Sequence, residues 1–159
     1  MKISKNLTGI AGTYYVAAEL SKRGYVALVT IKNTSGIDLL ASSEKSFNSI
    51  GIQVKTNQND YRQGWLLSVK NEELYDENLI YIFVNLKNDN SRPDFFIVPS
   101  KIVAETLKSG HKRWLETPSK TGKQHNDTNM RMFFDNNNEY KENWKLIEEK
   151  LEIIANKSS

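Results

Sequence analysis

The chain contains no cysteine. That absence removes zinc knuckles, iron–sulfur clusters and thiol catalysis, and it accords with a reducing, cytoplasmic setting. Long apolar runs are missing as well: nothing approaches the roughly 20 residues of a membrane span. Met1-Lys2-Ile3-Ser4-Lys5-Asn6 does not lead into the apolar stretch of a secretory signal. There is no glycine-rich phosphate loop, no nucleophile–histidine signature and no internal repeat. The two histidines, His111 and His125, stand too far apart in sequence to imply a local metal motif. A net charge of +3, from 22 basic and 19 acidic residues, is too small to mark a nucleic-acid binder by itself. What is there is ordinary globular composition, 159 residues with 38% hydrophobic and 26% charged. One domain over 1–159 is expected, large enough to bury a core without disulfides.

The charges are segregated along the chain. Residues 1–32 carry five basic and one acidic side chain, and 101–131 carry seven and three, whereas 33–100 carry six and nine. Two positive segments thus flank a negative middle, which solvated surface charge also produces by chance.

Leu7, Ile10, Tyr14 and Ala17 recur at helical spacing, widened by Val16 and Leu20, and Gly24 follows; this predicts a helix over 7–23 with one apolar face. Residues 25–31 and 37–41 read as strands joined by the turn Asn33-Thr34-Ser35-Gly36, and 47–56 as a third strand antiparallel to the second. Trp65 to Val69 is either a short strand or the lip of a loop. Residues 79–86 and 94–98 make a second hairpin-like pair. Pro99-Ser100 opens a helix through Leu107 that Gly110 ends, and 111–135 is expected to be surface loop. A last helix over 139–154 carries the stripe Tyr140, Trp144, Ile147, Leu151 and Ile154, suited to the core or to a dimer contact. This order predicts an α/β (α+β) fold.

Three polar residues interrupt these apolar strands: Asp38 at the head of the second, and Gln53 and Lys55 on the third. Strand side chains alternate, so Gln53 and Lys55 share a face, and an antiparallel neighbour sets Asp38 beside them. Glu19, on the flank of the first helix, is placed to reach the same corner. Such a group suits a hard divalent cation, Mg²⁺ with Mn²⁺ as substitute, held by the Asp38 carboxylate, the Gln53 amide oxygen, the Val54 carbonyl and Glu19 or water. A lysine beside the metal positions an attacking water or neutralises charge on a phosphate, the chemistry of phosphodiester hydrolysis. The same residues also compose a buried ion pair of Asp38 and Lys55, with Gln53 satisfying a loop carbonyl. Lys22, Arg23 and Lys32 near the cluster are candidate phosphate contacts. Lys112, Arg113, Lys120, Lys123 and Arg131, interleaved with Trp114, form a second candidate patch.

The stretch 9–57 resembles the PD-(D/E)xK, or restriction-endonuclease-like, nucleases, nearest to group I intron homing endonucleases and Holliday-junction resolvases. The resemblance lies in Gly9 to Glu19, Gly24-Tyr25, Gly36-Ile37-Asp38-Leu39-Leu40-Ala41 and Ile52-Gln53-Val54-Lys55-Thr56. Ile37 stands where the pattern has proline, and Gln53 where it commonly has an acid. The resemblance implies a mixed five-stranded sheet flanked by helices, DNA as substrate, Mg²⁺ dependence, and Glu19, Asp38, Gln53 and Lys55 as the catalytic set. It also implies a possible homodimer or higher homo-oligomer. A fold that keeps the sheet but has lost catalysis, binding DNA or a protein partner, is the competing reading.

Overall fold

The computed structural model describes residues 3–31, 36–45, 48–58 and 64–157. Turn residues 33–35, Lys32 and Phe47 lie outside them. In chain order the elements are α1 (Lys5–Lys22), β1 (Tyr25–Val29), β2 (Leu39–Ser43), β3 (Ser49–Asn57), β4 (Trp65–Ser68), a 3-10 turn (Val69–Glu72), β5 (Leu79–Asn85), β6 (Asp94–Pro99), α2 (Ser100–Glu116), β7 (Met130–Phe133) and α3 (Lys145–Lys157). Five strands form a mixed sheet in the order β1-β2-β3-β5-β6. Only β3 and β5 run parallel in it; the other neighbours are antiparallel. β4 and β7 form a separate antiparallel pair.

The sheet is covered on both faces, which is why β5 is apolar at nearly every position and buried throughout. Ile80, Ile82 and Val84 pack with Ile50, Ile52, Val54, Phe95 and Ile97 beneath α1 and α3, through Val16, Leu20, Ile147 and Leu151. Tyr81 and Phe83 pack on the other face with Phe96 and Val98 beneath α2 and the β4–β7 pair, through Val103, Leu107, Trp65 and Phe133. The Phe83 and Phe133 rings stack with centroids 4.4 Å apart. Among the described residues no helix is long and apolar enough to cross a membrane.

Three expectations change. Helix α1 buries Thr8, Gly12, Val16 and Leu20, whereas Leu7, Ile10 and Tyr14 are 54%, 42% and 63% exposed. Small residues win that face because α1 lies close on β3: a Cβ on Gly12 would fall 1.9 Å from Thr56 Oγ1. Helix α2 continues through Gly110 to Glu116, since one interior glycine costs only about 1 kcal/mol relative to alanine. The stretch expected to be loop therefore holds the end of α2 and all of β7. The last helix begins at Lys145, because Asp135 accepts from the Glu139 and Tyr140 N–H groups at 2.9 Å each. Residues 140–142 are instead drawn out along the free edge of β6: Ile97 N–H donates to Tyr140 O at 2.9 Å and Glu142 N–H to Phe95 O at 2.8 Å.

Candidate metal and phosphodiester site

The site forms where β2 and β3 part. Their pairing runs from Ser42↔Ser49 to Leu39↔Ile52 and ends with Asp38 N–H donating to Ile52 O at 2.8 Å. The next group on β3 facing that way is Val54 N–H, which has no β2 carbonyl and is taken by Asp38 Oδ2 at 2.7 Å. Gln53 Nε2 donates to the same oxygen at 3.1 Å. In an extended strand a residue's N–H and C=O point to one edge. The Val54 carbonyl therefore also faces the gap that β2 leaves.

Gln53 is buried opposite Tyr81 of β5, and Lys55, two residues on along the same face, is half-buried opposite Phe83. Tyr81 is the neighbour of Gln53 in the sheet and was not apparent from sequence, where it reads as one more β-forming aromatic. Burial pushes its phenol pKa up; a hydrogen bond from Asn71 opposes this, and the charge of Asp38 adds to the rise. The fold thus brings Asp38 to Gln53 and to the Val54 backbone, with Lys55 next along the Gln53 face of β3.

Glu19 is not among them. The cavity over the gap is lined from α1 by Lys5, Gly9, Ile10, Thr13 and Tyr14, and Glu19 lies about 9 Å farther along the helix axis than Thr13 at 1.5 Å per residue. Its carboxylate is held at both oxygens by Arg92, 3.0 and 3.1 Å away, and also by Arg23. Arg92 grips Glu142 at 2.9 Å through two further N–H groups, and the Arg23 guanidinium lies 4.1 Å from the centroid of the Trp144 ring. Glu19 therefore ties the end of α1 to the β5–β6 loop and to the approach to α3. The Arg92 hydrogen bonds, opposed by partial burial and helped by Arg23, lower its pKa from 4.5 to about 2.

A depressed folded-state pKa stabilises the fold above the unfolded value and loses that effect as pH falls through the folded one. Wild type is thus expected to exceed Glu19→Gln by about 1 kcal/mol at pH 7, a figure discounted for solvent screening. The gap should close between pH 4.5 and about 2. Urea melts of both proteins across that range check it, and a gap unchanged at pH 2 would remove Glu19 as its source.

The donors at the gap fit one hard cation held modestly. One carboxylate, one carboxamide oxygen and one strand carbonyl leave places for water and phosphate oxygens, the way Mg²⁺ is commonly bound. A half-turn of the Gln53 amide presents Oε1 in place of Nε2 without moving the chain. Among the described residues no three His, Asp or Glu side chains gather as a metal cluster.

The candidate phosphate contacts divide. Lys22, Lys112, Arg113, Lys120 and Lys123 are exposed, Arg23 is engaged as above, and Lys32 lies outside the described residues. Arg131 is a correction: it is buried, ion-paired with Glu72, and donates to Thr128 O and Met130 O at 2.5 and 3.0 Å. It pins β7 to the 3-10 turn rather than facing solvent, a role that its place in a basic stretch concealed. Nearby, the Trp114 ring stacks with His111 and with His125, at centroid distances of 5.4 and 4.1 Å, and His111 Nε2 lies 2.8 Å from Asp127. The histidines, distant in sequence, both stack with one indole.

No protein-family model and no curated protein matches this sequence. Among solved structures, that of a bacterial homing endonuclease matches with a TM-score of 0.59 and 16% identity, over 99% of this chain and 100% of the other. At that identity the likeness is one of fold, and it extends over nearly all of the chain.

Proposed function

We propose that this protein is a metal-dependent endonuclease of the PD-(D/E)xK kind that hydrolyses DNA phosphodiester bonds. The observation that carries the proposal is the hydrogen bonding of Asp38 to Gln53 and to Val54 N–H at the parting of two strands, with Lys55 two residues on along the Gln53 face of β3, on a fold shared with a homing endonuclease. Asp38, Gln53 and the Val54 carbonyl would hold Mg²⁺, which when bound polarises the phosphate and makes water a stronger nucleophile. Lys55 orients the attacking water and offsets the charge that builds on the phosphoryl oxygens as the P–O bond breaks. Exposed Lys22, Lys112, Arg113, Lys120 and Lys123 hold the strand through its phosphates. A pair of copies would present two such sites to the two strands of a duplex.

A second reading, a silent module that binds DNA or a protein, draws on one observation. Asp38 Oδ2 already accepts two hydrogen bonds within the protein, as a purely structural aspartate would.

Conversion of supercoiled plasmid to nicked or linear form separates the two. Cleavage in Mg²⁺ or Mn²⁺ that stops on adding EDTA is expected. No cleavage, together with no heat of Mg²⁺ or Mn²⁺ binding at millimolar concentration, would favour the silent module.

A further inference from the structure

We propose that the cavity between α1 and the β2–β3 gap receives one nucleotide turned out of the base stack, so that the preferred substrate carries an unpaired or displaced nucleotide at the cleavage site. The inference rests on the nuclease reading for the kind of polymer bound. The cavity measures about 440 Å³, within the usual range for sites that enclose a small ligand. Asp38 and Val54 belong to its lining, so it adjoins the site described above; Ile10, Tyr14, Val29 and Ile37 supply its apolar lining, and Lys5, Asn6, Thr13 and Thr30 its polar lining.

Each part matches a nucleotide. Regular duplex DNA offers a protein surface its phosphates and sugars, for which apolar walls are no partner. A base out of the stack exposes two π-faces, and these are satisfied by aromatic and aliphatic side chains. Tyr14 is 63% exposed although it belongs to an apolar run on α1, so its ring is available from the cavity side. Lys5 pairs with no carboxylate among the described residues, and the first turn of α1 carries no acidic residue. A phosphate attached to the seated nucleoside therefore meets a positive edge, and the neighbouring phosphate lies toward the gap. An apolar protein segment would fill the walls equally well but would leave Lys5 unmatched, and the charge favours the nucleotide.

The test uses 2-aminopurine, whose fluorescence falls when it stacks on an aromatic ring. Two short duplexes, one with 2-aminopurine as a single bulged nucleotide and one with it fully paired, are titrated with the full chain in EDTA, where cleavage plays no part. The bulged duplex is expected to bind at least about tenfold more tightly and to lose fluorescence on binding. Tyr14→Ala should abolish both the preference and the quenching while leaving affinity for the paired duplex unchanged. Tyr14→Trp should restore both. Lys5→Ala should weaken the bulged duplex more than the paired one. Equal affinity for the two duplexes, or an unquenched bulged base, overturns the pocket and leaves the nuclease reading to the plasmid assay. Overturned too is the pocket if sedimentation shows Tyr14→Ala converting a dimer to a monomer with quenching intact, since a second copy would then occupy this face.

Discussion

Lys55→Ala is expected to slow metal-dependent plasmid cleavage by at least about a hundredfold, the usual consequence of removing one positioned charge from a reacting centre. The Lys55 side chain makes no hydrogen bond or ion pair with a described residue, so the fold and the affinity for DNA should stay near wild type. Asp38→Asn should lose as much activity for a different reason. Asparagine still offers an oxygen to Val54 N–H, which donates at 2.7 Å in the wild type, but it withdraws the only carboxylate among the donors at the gap. Its melting temperature should remain within about 4 °C of wild type, on the order of 1 kcal/mol for a chain of this size. Cleavage and thermal melts measured side by side read both variants. If either cleaves like wild type, the chemistry lies elsewhere; if activity falls only in step with stability, Asp38 and Lys55 are structural.

Gly12→Val is expected to destabilise the protein by about 3 kcal/mol or more, a large part of the 5–15 kcal/mol typical of a native chain. The new Cβ would meet Thr56 Oγ1 at 1.9 Å and the Thr56 Cβ and Cγ2 at 2.8 Å, and α1 cannot retreat without opening the core at Val16 and Leu20. Thr56→Ala alone should be close to neutral, because Thr56 Oγ1 is buried without a hydrogen-bond partner among the described residues and its removal leaves none of their donors orphaned. In a double-mutant cycle the pair should recover part of the loss, since the two side chains compete for one volume. Denaturant melts of the four proteins decide it; strictly additive effects would mean that Gly12 acts through helix propensity instead.

The strands were legible because their side chains alternate. Ile50, Ile52 and Val54 declare the buried face of β3, and that period places Gln53 and Lys55 together and Asp38 opposite. The phase of α1 misled. Its apolar residues suggested one face, but the contact with the sheet is made by Thr8 and Gly12, chosen for closeness, together with Val16 and Leu20, and Glu19 is held instead by Arg92. The pairing of β4 with β7 joins Ser68 to Met130, a separation over which no local pattern speaks. Arg131 was misread for the same reason, since its partner Glu72 lies on the far side of that pairing. The cavity itself was invisible in sequence: it exists because β2 leaves β3 one residue before Leu39.

The two rims of the main sheet are unlike. Along β6, the chain at 140–142 occupies backbone groups that would otherwise recruit another strand. Along β1, pairing within the described residues is with β2 alone. A sheet closed on one side and open on the other can be lengthened once and no more: two copies meeting at β1 would each present a sealed rim outward, so growth by strand addition halts at a pair instead of running on into a fibre.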